Sequence, residues 1–311
     1  MKLAVIGLGG IAHKAYMPLL ASKDGIELLF CSQTPETVST WQERYRIERG
    51  TTDLEELVSW RPDAAIVLTP SQTHFSIADS LLDAGIDVLV EKPATLRLDD
   101  TRHLAQKADS LGRVMMVAFN RRYAPLHRTA REWWGERSIG TAIFEKHRTQ
   151  AYHPTIYDQY IDDSIHQIDI LRFFCGEAEA ISTRVRMEDG LVAAASGMVN
   201  LSQNGIGLII NELKAARWQE RYTLHGGGVS MRVDAFSRLV FMQGDDERIL
   251  VEDYAGTWQN ALKARGFQGV IDHFLNCVLT RSQPETSAWD ALRTQELVED
   301  MAGAANRVDG E

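Results

Sequence analysis

The chain opens with Lys2-Leu3-Ala4-Val5-Ile6-Gly7-Leu8-Gly9-Gly10-Ile11-Ala12. An apolar run that passes directly into G-x-G-x-x-A and then into an amphipathic segment reads as a buried strand, a tight turn and a helix. That arrangement points main-chain N–H groups and a helix N-terminus at one spot, which suits a pyrophosphate. Gly7 permits the turn, Gly9 lets phosphate approach the backbone, and Ala12 lets the helix pack on the strand. Ile11, Ala12, Ala15, Tyr16, Leu19 and Leu20 form the apolar face of that helix.

The alternation continues. Glu27–Cys31 reads as a second parallel strand, Ala64–Leu68 as a central one ended by Thr69-Pro70, and Asp87–Val90 as another leading into Glu91-Lys92-Pro93. Helical patterns lie between them, at Leu54–Trp60, Gln72–Ala84 with His74 in its first turn, and Leu98–Ser110. Arg113–Phe119 closes the series as its last strand. Strand and helix in alternation predict a doubly wound parallel sheet with its ligand crevice outside the strands' carboxyl ends. In such folds an acid about 20 residues past the glycines holds the ribose of NAD. Here Ser32-Gln33-Thr34 occupy that place, so NADP is favoured over NAD. Ser32–Pro35 are equally suited to capping the next helix, and Arg44 or Arg46 would have to reach across from it.

After Asn120 the rhythm changes. A helix over Ala124–Trp134, a strand over Ile139–Arg148 and a helix over Asp163–Phe174 precede consecutive strand-like runs: Ala180–Met187, Leu191–Asn200, Gly205–Leu213, Arg217–His225, Phe236–Met242 and Arg248–Val251. Helices over Ala261–Leu279 and Trp289–Ala305 close the chain. The expectation is α/β: a Rossmann dinucleotide-binding domain over 1–120, then an α+β substrate and oligomerisation domain over 121–311 with a large, mostly antiparallel sheet.

Composition narrows the function classes. The 311 residues suit two domains, and a net charge of −10 argues against nucleic acid as the main partner. Cys31, Cys175 and Cys277 are too few and too scattered for a disulfide framework or a metal site. No stretch approaches the roughly 20 apolar residues of a membrane helix. A cytoplasmic protein acting on a small molecule is expected, without metal.

Taken together, GLGGIA, Thr69-Pro70 with His74, Glu91-Lys92-Pro93 and Asp162-Asp163-Ser164-Ile165-His166-Gln167-Ile168-Asp169 resemble the Gfo/Idh/MocA oxidoreductase family. Phe119-Asn120-Arg121-Arg122-Tyr123-Ala124-Pro125 and Lys146-His147-Arg148 resemble its MviM-like branch. The resemblance implies hydride transfer between a nicotinamide and a hydroxyl-bearing carbon of a sugar, polyol or related metabolite. It implies His166 as proton acceptor, which its near-neutral ordinary pKa suits. Asp162, at i−4 on the same helix face, orients that ring or binds a neighbouring hydroxyl, and Lys92 polarises the reacting oxygen.

For the cofactor the resemblance points to Gly7, Leu8, Gly9, Gly10, Ile11, Ala12, Ser32, Gln33, Thr34, Thr69, Pro70, His74, Glu91, Lys92, Asn120 and Arg121. For the substrate it points to Arg122, His147, Tyr152, Tyr157 and Asp163, with Lys146 and His153 on the same wall. An arginine of the Arg121-Arg122 pair is also placed to bridge to Asp169. A homodimer or homotetramer is implied by the resemblance. The chain lacks the Gly pairs that often precede the D-x-x-x-H motif in this family, which leaves the substrate open. A dinucleotide-binding regulator or scaffold and a transiently oxidising lyase are the competing readings; retention of both Lys92 and His166 favours the dehydrogenase over the regulator.

Overall fold

The computed structural model describes residues 1–252 and 261–308. The chain divides into two units, Met1–Phe119 with Phe267–Leu292, and Asn120–Gly266 with the segment from Arg293. The turning point near residue 120 is where the sequence rhythm changes. Phe267–Leu292, expected in the second domain, belongs instead to the first unit.

The first unit is built on β1 (Lys2–Ile6), β2 (Glu27–Cys31), β3 (Gly50–Thr51), β4 (Ala64–Val67), β5 (Asp87–Val90) and β6 (Met115–Val117), in the order β3-β2-β1-β4-β5-β6. All neighbouring strands are parallel. Helices cover both faces of a parallel sheet, so its strands are apolar throughout rather than alternating; Ala64, Ala65, Ile66 and Val67 are all buried. Chain order reverses between β1 and β4, which opens a crevice at their carboxyl ends.

Specific polar contacts hold the returning segment to this unit. Arg281 donates to the buried carboxylate of Asp87 and, at 2.6 Å, to the Gly112 carbonyl. Thr286 exchanges main-chain and side-chain bonds with Val117, and Trp289 Nε1 donates to Asp109 at 2.6 Å. None of these long-range pairings has a local sequence signature, which is why sequence order alone assigned the segment to its neighbours.

The second unit carries a nine-stranded sheet, ordered β14-β13-β12-β11-β7-β10-β9-β8-β15. Its strands are β7 (Thr141–His147), β8 (Ala178–Glu188), β9 (Leu191–Leu201), β10 (Gly205–Glu212), β11 (Gln219–Gly226), β12 (Val229–Asp234), β13 (Arg238–Gln243), β14 (Asp246–Val251) and β15 (Ala305–Val308). The mostly antiparallel expectation holds, with parallel joints at β7–β10 and β8–β15. Val229–Asp234, only six residues long, lies between the Gly227-Gly228 turn and the Ala235-Phe236-Ser237 turn, and the sequence reading does not single it out. The closing helix ends at Gly303, and Ala305 starts a strand.

Period-two alternation sets the inner face of this sheet. Ala142, Phe144 and Lys146 of β7 point inward, as do Glu220, Tyr222 and Leu224 of β11. The helix Ile165–Cys175 lies against them: Gln167 donates to the main-chain carbonyls of Phe144 and Ile210.

Candidate active site

In the first unit, a cleft of about 410 Å³ opens at the carboxyl ends of β1, β2 and β4. Gly7, Leu8, Gly9, Ser32, Gln33, Thr34, Thr69 and Pro70 line it, with Cys31, Thr37, Thr52 and Thr73. Gly7 has φ +91°, and a Cβ there would lie 2.7 Å from the main chain of Leu68 and Thr69. The turn therefore requires glycine on both conformational and steric grounds. Gly9 and Gly10 face open space, leaving room for a ligand against the backbone. Ala12 is wholly buried and serves the helix packing, while Ile11 is 37% exposed.

Thr34 does cap the helix Pro35–Tyr45, accepting from Thr37 N at 3.3 Å, and still lines the cleft. Capping and ligand contact are compatible, because a capped helix N-terminus is also an anion-favouring one. Arg44 does not reach the cleft and meets His13 at 3.2 Å instead. The lining residues carry neither a carboxylate nor a cationic side chain.

Two further motifs shape this crevice from behind. His74 is buried, its Nδ1 2.8 Å from the Pro93 carbonyl and its Nε2 2.9 Å from that of Thr69. Both ring nitrogens face main-chain carbonyls, and burial pushes the pKa below the ordinary value, so the neutral ring donates to one of the two and staples the loops from inside. Glu91 is likewise committed internally, accepting from the Tyr16 hydroxyl at 2.7 Å and from Lys92 N at 3.0 Å. Burial, with that carboxylate beside it, raises the Tyr16 phenol far above its usual value. Lys92 stands half-buried just past the carboxyl end of β5, joined to Pro93 by a cis peptide.

In the second unit the structure reassigns several residues. Asn120 donates to the Arg265 carbonyl at 2.8 Å, and Arg121 forms a bidentate, buried pair with Glu220 at 2.5 and 2.8 Å. The side-chain contacts that the cofactor reading assigned to Asn120 and Arg121 are thus taken up by structural partners. Despite burial, the guanidinium holds the Glu220 carboxyl down to about 2. Arg122 pairs with Asp169 at 2.9 and 2.6 Å, the bridging alternative, and Thr294 adds a bond to Asp169 at 3.1 Å.

The D-x-x-x-H motif does not begin as an ordinary α-helix. Gln159–Ser164 is a π-helical turn followed by the helix Ile165–Cys175, so the i, i+4 geometry inferred for Asp162 and His166 does not carry over. Asp162, with a 60% exposed side chain, meets His153 Nε2 at 3.3 Å. His166 is half-buried in the first turn of the helix.

Asp163, expected toward substrate, is instead the hub of a buried cluster with Lys146 and Arg148. It accepts from Lys146 Nζ and Arg148 Nε, both at 2.9 Å, and from Gln159 at 3.3 Å. Although burial opposes its charge, Lys146 and Arg148 hold its carboxyl well below the usual range. His147 is held in the sheet, its Nδ1 accepting from Glu212 N at 3.0 Å. Tyr152 is 62% exposed. Tyr157 is half-buried, and burial raises its phenol above the ordinary value.

Sequence reading missed Glu220 and the full burial of Lys146. The signal for Lys146 was present: it shares the inward register of Ala142 and Phe144.

Comparison with known proteins agrees with this architecture. Residues 1–119 match the family model described as "Oxidoreductase family, NAD-binding Rossmann fold", GFO_IDH_MocA. The YceM protein of Salmonella typhimurium is 29% identical over 306 residues, spanning 96% of each chain. The scyllo-inositol 2-dehydrogenase (NAD(+)) of Bacillus subtilis is 30% identical over 186 residues, 57% of this chain and 54% of that one. The crystal structure of a dehydrogenase (MviM) from Clostridium difficile superposes with a TM-score of 0.88 at 23% identity, over 96% of this chain and 97% of that one, and so shares the fold. Residues 1–119 thus carry the NAD-binding Rossmann domain of the Gfo/Idh/MocA oxidoreductase model.

Proposed function

We propose that the protein is an NAD(P)-dependent dehydrogenase or reductase that interconverts a secondary alcohol and a ketone on a sugar, polyol or related metabolite. The observation that carries this reading is the cleft over Gly7 and Gly9, with Lys92 retained at the carboxyl end of the neighbouring strand β5. The name of the inositol dehydrogenase relative supports the substrate class.

A bound nicotinamide would supply the hydride acceptor for oxidation at the carbinol carbon and the hydride donor for the reverse. Lys92 would place its ammonium on the substrate oxygen, stabilising negative charge as it develops there. His166 would take the hydroxyl proton in oxidation and return it in reduction. Asp162 would favour the protonated imidazole or hold an adjacent hydroxyl. Tyr152 and Tyr157 remain candidates for contacting the rest of the substrate, while Arg122 pairs with Asp169.

Within the dinucleotides, NADP is the preferred form in this proposal. Ser32, Gln33 and Thr34 offer hydroxyl and amide groups where a carboxylate would repel a 2′-phosphate. A second copy of the chain is proposed to pack on the outer face of the nine-stranded sheet, where Ile143, Leu208 and Met198 stand in register and Ile206 is 46% exposed.

The test is a panel of hexoses, pentoses and inositols with each dinucleotide, followed at the reduced-nicotinamide absorbance band. Turnover that Lys92→Ala lowers at least 100-fold, with dinucleotide affinity retained, supports the proposal. Nucleotide binding without turnover on any member of the panel favours the regulator reading. Tightly held cofactor that does not exchange favours the transiently oxidising lyase.

A further inference from the structure

Lys146 is a lysine with no exposed surface, placed in the middle of a sheet. It points at the π-helical turn Gln159–Ser164, donating to the Asp163 main-chain carbonyl and to Asp163 Oδ1 at 2.9 Å. Arg148, just past the end of β7, donates to that carboxylate as well.

We propose that Lys146 is a positioning residue: by gripping both the main chain and the side chain of Asp163, it holds the π turn and with it the placement of Asp162 and His166. The inference rests on the catalytic reading of that motif given above.

Three structural facts carry it. A π turn inserts an extra residue per turn relative to an α-helix, and this one is held by contacts from outside the helix. From outside the turn, Lys146 and Arg148 hold Asp163, Ser164 bonds Asn211 at 3.2 Å, and Asn211 donates to the Lys146 carbonyl at 3.0 Å and to Gln167 at 2.9 Å; within the turn, Gln159 bonds Asp163 and Ser164. The circuit therefore closes on Lys146 through its main chain as well as its side chain. Asp162 and His166 flank the gripped residue on either side in sequence, so relaxation of the turn to α geometry rotates Asp162 relative to His166.

The charge balance explains why a cation serves here. Asp163 from the turn and Glu220 from β11 face Lys146, while Arg121 and Arg148 oppose it. Burial lowers its pKa to about 8, so the lysine is held against a substantial desolvation penalty. A purely space-filling role would be met by methionine, which fills the same volume without that penalty.

The test uses the full chain with Lys146→Met and Asp163→Asn. Hydrogen exchange is read first, without cofactor or substrate. The peptide spanning 156–166 is expected to exchange at least 10-fold faster in Lys146→Met, with strands β9 and β10 unchanged. Equal exchange in that peptide, or a uniform rise across the second unit, overturns the proposal. Kinetics are read next on the best sugar or polyol of the wild-type panel. kcat is expected to fall at least 10-fold, with dinucleotide KM within twofold, the double variant no worse than either single one, and a larger deuterium isotope effect on kcat. An unchanged kcat in folded Lys146→Met also overturns it. Wild-type protein that turns nothing over removes the catalytic reading, while the exchange result still decides whether Lys146 holds the turn.

Discussion

The His74 imidazole lies between the Thr69 and Pro93 carbonyl oxygens at 2.9 and 2.8 Å, joining the lip of the cleft over Gly7 to the turn that carries Lys92. One buried side chain thus ties together the loops after β4 and β5. His74→Phe is expected to lower the unfolding free energy by about 1–3 kcal/mol, because it leaves a buried carbonyl without its donor. Urea denaturation checks the size, and a parallel titration should show weakened dinucleotide binding.

Gly7 makes a sharper prediction. Gly7→Ala meets both the positive φ and the 2.7 Å approach to the Leu68 and Thr69 main chain. Dinucleotide affinity should fall at least 100-fold, read by fluorescence titration. Gly10→Ala, which faces open space, should leave thermal stability within a few degrees of wild type.

The Arg121–Glu220 pair should behave as a buried ion pair broken from one side. Arg121→Met alone is expected to destabilise by about 3–5 kcal/mol, since it strands a buried carboxylate. Adding Glu220→Leu should recover a large part of that loss, giving a strongly non-additive cycle in denaturant unfolding.

Acid sensitivity follows from the depressed carboxyls of Asp163 and Glu220. Their folded pKa values lie below the unfolded ones, so their contribution is complete above the ordinary carboxylate pKa and is lost as pH falls toward the folded values. Stability should decline from about pH 4 downward, and Glu220→Gln should flatten that decline. Lys146, with a pKa lowered to about 8 from 10.5, acts in the other window. Between those values the unfolded chain holds the proton that the folded chain has released, so this group adds stability as pH rises. Lys146→Met should remove that rise in pH-dependent denaturation.

Much of the fold was legible because its signals are local. The run into Gly7, the uniformly apolar parallel strands and the alternating strands after residue 177 all follow from burial on two faces or one. Phe267–Leu292 was not legible, because its attachment rests on Arg281, Thr286 and Trp289 reaching partners far away in sequence. The site shows the same division. Gly7, Gly9 and Ser32 were placed by motif and do line the cleft. His74, Asn120, Arg121 and Asp163 carry the family pattern, yet their side chains bond to the protein itself. Motif spacing locates a residue but does not say whether its polar atoms face inward or toward a ligand. The π turn also escaped, since an extra residue in a helix leaves the hydrophobic pattern nearly unchanged.

The central claim is that the cleft over Gly7 binds a nicotinamide dinucleotide with its 2′-phosphate beside Ser32. The most direct measurement is fluorescence titration of NADPH and NADH against wild type and Ser32→Asp. The account predicts at least 10-fold tighter binding of NADPH by wild type, with the preference reversed in Ser32→Asp as the new carboxylate repels phosphate and accepts from ribose. Absence of binding by either nucleotide, in protein purified free of cofactor, would contradict it.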